Sequence, residues 1–169
     1  MRFISPDMLH ETELHVSEVA AGPEFWATKT TFSRYRDLPR PTSAFFFVCG
    51  DLRATFYPCG GTPTTVKQGE LCFIPKGTCY HVQVERGTAL RIGSYTVNFL
   101  LFDGNMEEVS LSEGIAVLSG GHGTELEQCC RNLVELSGRI GVYPDAADRL
   151  SALTERYLSI QTDHRFKTL

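Results

Sequence analysis

At 169 residues, with 42% hydrophobic and 21% charged content, the chain is long enough to bury one core without disulfide or metal staples. A net charge of −4 makes it a poor match, on its own, for gripping nucleic-acid phosphates. No apolar run approaches the ~20 residues that span a bilayer, and MRFISPDMLHETEL lacks the basic and apolar regions of a secretory signal, so a cytoplasmic chain with no membrane partner is expected.

Taken in order, residues 1–27 read as an N-terminal arm and first strands, with the arm at Phe3-Ile4-Ser5-Pro6 and the single tryptophan at Trp26. Residues 28–119 read as short strands separated by turn chemistry. Ser43 to Cys49 is a near-continuous apolar run closed by Gly50-Asp51, and Arg53 to Tyr57 alternates. Pro58 to Pro63 is a turn leading to Thr64–Lys67, and strands follow at Glu70–Ile74, Cys79–Val84 and Ala89–Phe102. Short strands at this spacing predict an antiparallel sandwich or barrel.

In residues 120–169 the period changes. Thr124 with Glu127 three positions on forms a capping box, and Leu126, Cys129, Cys130, Leu133, Val134 and Ile140 follow at helical spacing. Gly141 ends that helix and Pro144-Asp145 opens another. Leu150, Leu153, Tyr157 and Ile160 of the second helix form a narrow apolar seam, either a dimerisation surface or a face packed on the chain's own sheets. Six cysteines without a CxxC pair read as reduced thiols, with Cys49, Cys72 and Cys79 inside apolar runs.

Gly69, Pro75, Gly77 and Tyr80 in GELCFIPKGTCY are spaced as in the second motif of the cupin superfamily, which this stretch resembles. Metal-dependent cupins, by that resemblance, carry histidine at the last position and two further histidines earlier. Here Tyr80 takes that place, and no histidine lies between His15 and His81. A catalytic metal needs about three converging donors, so no metal site and no cofactor are expected. GxSxG and HExxH are also absent, and no catalytic residue is assigned. An acid–base pair of Tyr80 and His81, as in a small sugar isomerase or epimerase, needs both on one face, and strand alternation opposes it.

The ordered series of Arg40-Pro41, a strand ending Val48-Cys49-Gly50, a glycine-rich hairpin, Gly69 to Tyr80 and Tyr95-Thr96-Val97-Asn98-Phe99 resembles the N-terminal effector-binding domain of AraC/XylS-type transcription regulators. The resemblance covers about residues 30 to 160, with Glu70 where the family has aspartate. It implies a mainly β fold: a cupin-like antiparallel β-barrel (a double-stranded β-helix, or jelly roll) followed by two α-helices. It implies a non-catalytic, homodimeric sensor of a small effector, a sugar or an organic acid. DNA would be met only through a C-terminal helix-turn-helix region that this chain lacks. A small cupin enzyme and a free-standing ligand-binding cupin are the alternatives. The family's pocket arginine falls on Arg40, and Tyr80 with Val82 would face the barrel interior. Ser94, Thr96 and Asn98 form one polar strand face, turned either into the barrel or to solvent. Trp26 and the N-terminal arm are candidates to close over a ligand, the arm reading otherwise as a loosely held terminus.

Overall fold

A computed structural model describes residues 1–4, 8, 11–26, 29–87, 92–119 and 123–137. The strands are β1 (Arg2–Phe3), β2 (Leu14–Glu24), β3 (Lys29–Phe32), β4 (Ser43–Val48), β5 (Leu52–Pro58), β6 (Thr64–Val66), β7 (Leu71–Ile74), β8 (Tyr80–Arg86), β9 (Ser94–Asp103), β10 (Val109–Ser110) and β11 (Ala116–Ser119). One described helix follows, α1 (Gly123–Ser137). The chain is thus mainly β, with antiparallel sheets and a C-terminal helix. No helix among the described residues is long and apolar enough to cross a membrane.

Five strands pair in the order β11-β7-β4-β9-β2 and four in the order β3-β8-β5-β6. The two sheets enclose an inner core of Ala44, Phe46 and Val48 from β4, Ile74 from β7, Phe56 from β5, and Tyr80, Val82 and Val84 from β8. A second core lies on the other face of the five-stranded sheet, where Phe45, Phe47, Phe73, Val97 and Phe99 pack against Cys130 and Leu133 of α1. This explains the unbroken apolar run of β4: both faces are covered, so all six of its residues are buried. Phe45 and Phe47 share this outer core with Cys130 and Leu133 of α1, whereas Phe46 turns to the inner one.

Gly69 and Gly77 both adopt left-handed backbone, with φ of 79° and 82°, as their turn positions require. The helix starts at Gly123, one residue ahead of the Thr124 expected to cap it, where a side chain would press against the Gly69 backbone at 3.3 Å. The six cysteines are free thiols; Cys72 and Cys130 are buried, whereas Cys59 is exposed. The second predicted helix, with Leu150, Leu153, Tyr157 and Ile160, lies outside the described residues.

Two features of the N-terminal region depart from the sequence reading. The arm is not poised over a ligand site at Phe3-Ile4. Arg2 and Phe3 pair in parallel with Val109 and Ser110, Ile4 is buried in the outer core, and the Arg2 guanidinium reaches Asp103 at 2.5 Å. Burial of Ile4 holds the arm to the face opposite the inner core; Ser5 and Pro6 lie outside the described residues. The longest strand, β2, carries a bulge: Ser17 pairs with Leu100 but Ala20 pairs with Asn98, and Glu18 stands at φ 53°. One extra residue reverses which face each later side chain occupies. Leu14 and Val16 therefore join the outer core, whereas Gly22 and Glu24 pair with Thr96 and Ser94 on the inner side.

Candidate functional site

One end of the inner core is not filled by side chains. A cavity of about 400 Å³ lies there between the sheets, lined by β2, β3, β8 and β9 and by the segment from Arg34 to Arg40.

Arg40 is placed by its backbone. Its N–H donates to the Thr78 carbonyl at 3.1 Å, and the Gly77 N–H donates to the Arg40 carbonyl at 2.8 Å. Pro39 and Pro41 restrict the chain on both sides of this strap. The same turn delivers Tyr80, whose N–H donates to the Tyr35 carbonyl at 2.8 Å. Arginine, both tyrosines and the cavity are thereby drawn together.

The Arg40 side chain is only 5% exposed. Nη1 donates to the Tyr80 hydroxyl at 2.7 Å, and Nη2 donates to Asn98 Oδ1. Its guanidinium carbon sits 5.0 Å from the centre of the Tyr35 ring, within cation–π range. Nε is buried without a hydrogen-bond partner among the described residues. Asn98 is fixed from its other side by donation from Nδ2 to the Ala20 carbonyl at 3.4 Å, which sets its amide so that oxygen faces arginine. Burial pushes the Tyr80 phenol up to about 12, against the opposing pull of Arg40. The phenol is therefore protonated near neutrality; it accepts from Arg40 and keeps its own proton for a further acceptor.

A second polar group stands elsewhere on the wall. The Trp26 indole N–H donates to Ser94 Oγ at 2.8 Å, and that hydroxyl donates to Glu24 Oε2 at 2.9 Å. Burial raises the Glu24 carboxyl above its ordinary value, opposed by hydrogen bonds from Ser94 and Thr96 and by the charge of Arg40. Between the polar groups the wall is apolar, formed by Phe46, Phe56, Ile74 and Val82.

The structure brings Trp26, Arg40, Tyr80, Val82, Thr96 and Asn98 to this one cavity. Ser94 is fully buried behind it and acts through Trp26 and Glu24. The face of Ser94, Thr96 and Asn98 thus points between the sheets rather than to solvent. Tyr80 and His81 take opposite faces of β8: Tyr80 joins the inner core, whereas His81 stacks on Tyr57 with ring centres 4.8 Å apart. Glu24 and Tyr35 went unread in the sequence. For Glu24 a signal existed: it is the only charge between Val19 and Thr28. Its facing, however, depends on the bulge four to six residues earlier.

No protein-family model matches the chain, and no curated protein matches it.

Proposed function

We propose that this chain is the small-molecule-sensing and dimerisation domain of an AraC-type transcription regulator. It works without catalysis or cofactor, as a cytoplasmic homodimer, and controls a helix-turn-helix DNA-binding region outside this chain. In this reading the two sheets are the halves of a cupin-like barrel, and the effector is a sugar or an organic acid. The observation that carries it is the cavity of about 400 Å³ with a buried, polar-anchored Arg40 on its wall.

A volume of that size suits one small organic molecule, and apolar walls with a few fixed polar groups are the usual composition of such sites. Tyr80 supports binding over acid–base work, because burial pushes its phenol up to about 12, away from the near-neutral range that suits a general acid or base. The order of motifs from Arg40 to Phe99, with a helix following the sheets, supports the regulator assignment.

The test fuses residues 1–169 to a DNA-binding region that occupies its operator only as a dimer. Operator occupancy restored by the fusion, responsive to a small molecule and lost in Leu150→Asp/Leu153→Asp, is the expected result. A fusion that stays monomeric and inert, while the chain itself is folded, would contradict the reading.

A further inference from the structure

The cavity holds a guanidinium and a carboxyl group that are not joined to each other. No carboxylate lies within ion-pair distance of Arg40 among the described residues. Its two hydrogen-bond acceptors, Tyr80 and Asn98, are neutral. A buried guanidinium held only by neutral groups is costly, and the cost is relieved when an anion arrives. Of the five N–H donors of the side chain two are engaged, and Nε–H is among the remainder. Arg40 lines the cavity, and its unengaged N–H donors are of the kind that pair with the oxygens of a carboxylate. The Tyr80 hydroxyl, which accepts from Nη1, offers its own proton as a further donor on the same wall.

Glu24 defines the other pole. It feels the charge of Arg40 without pairing with it, and it takes a hydrogen bond from Ser94. A carboxylate accepts about four hydrogen bonds, so capacity remains for a donor from the cavity. The β2–β9 register orders the floor between the poles: Glu24 opposite Ser94, Gly22 opposite Thr96, Ala20 opposite Asn98. A side chain added at Gly22 would meet no atom within 4 Å, so this stretch of floor is clear. Ser94 and Asn98 are about 13 Å apart along an extended strand, which, after the reach of both polar side chains, leaves a span near that of one six-membered ring.

We propose that the cavity takes a small bipolar organic acid, with its carboxylate on Arg40 and Tyr80, an apolar body over Gly22 against Phe46 and Val82, and a hydroxyl or amino donor received by Glu24. This rests on the sensing reading above and narrows it: neutral sugars lack the anion, fatty acids lack the donor, and dicarboxylates would place a second anion against Glu24.

The experiment is calorimetric titration of the 169-residue chain with the three hydroxybenzoates, 4-aminobenzoate and 6-hydroxyhexanoate. The matching amides, terephthalate, L-arabinose and D-glucose complete the panel. At least one hydroxy or amino acid should bind with Kd below about 1 mM. Its amide and terephthalate should bind at least about tenfold more weakly, a difference ordinary for a lost charge-assisted pair. Arg40→Gln should remove the preference for acid over amide, and Glu24→Gln should admit terephthalate. The acid–amide comparison in the unaltered chain decides the matter even where Arg40→Gln fails to fold. Equal binding of acid and amide overturns the proposal, as does a neutral sugar bound in preference to every acid; in both cases the sensing reading survives. Failure of all acids up to about 10 mM also overturns it. Sensing falls with it only when the neutral probes fail as well.

Discussion

Tyr80 and Glu24 show how single groups set the character of the cavity. The Tyr80 hydroxyl accepts from a buried arginine, so Tyr80→Phe leaves an N–H of Arg40 unpaired where water reaches poorly. A loss of about 1–3 kcal/mol in urea unfolding is expected, although the ring and its packing on Phe56 are kept. Glu24 acts in the opposite sense. Burial raises its folded value above 4.5, so on raising pH the unfolded chain releases this proton first. Its contribution is fully present below about 4.5 and is lost as pH rises through the raised folded value. Urea midpoints should therefore fall from about pH 4 toward neutrality more steeply in the native chain than in Glu24→Gln. Equal slopes would remove Glu24 from the account. Alternation grouped Tyr80 with Val82 and Thr96 with Asn98 in the sequence, because β8 pairs with β3 and β5, and β9 with β4, without a register shift; periodicity alone left open which face of β9 turns inward. Glu24 was not legible, because its face is decided at Glu18.

That bulge is the element on which the cavity depends. Without the extra residue, β2 would continue Leu14 and Val16 with Gly22 and Glu24 on the outer face, and the carboxylate would enter an apolar core under α1. Glu18 is exposed and stands at φ 53°, a conformation that costs a residue with a side chain more than glycine. Glu18→Gly should accordingly stabilise the chain by about 0.5–1 kcal/mol while leaving the ligand response unchanged. Destabilisation would mean that the Glu18 side chain, rather than the backbone, maintains the bulge. A positive φ inside a strand leaves no mark in residue type when the residue is glutamate, which is why β2, with its Gly22-Pro23 interruption, reads from sequence as arm and first strands. β4, β7 and β8 were readable within a residue or two because Gly and Pro bound them. The Gly69 and Gly77 turns declared themselves because only glycine accepts those backbone angles cheaply.

At the scale of the molecule, two cores lie back to back on one sheet, and β4 and β7 contribute side chains to both. β9 alternates between the cavity, through Thr96 and Asn98, and the outer core, through Val97 and Phe99. The cavity and α1 are therefore separated by one layer of backbone. A ligand that shifts β9 has a direct mechanical route to the helix that precedes the proposed dimerisation segment, provided it binds two arrangements unequally. All of this stands on the cavity being a binding site anchored by Arg40. The most direct measurement is the nitrogen–proton NMR signal of Arg40 Nε, assigned by its loss in Arg40→Lys and followed while small acids and sugars are added. The account predicts that at least one probe moves that signal, together with those of Trp26 and Asn98. If every probe leaves all three unmoved while the fold remains intact, the cavity is not the effector site.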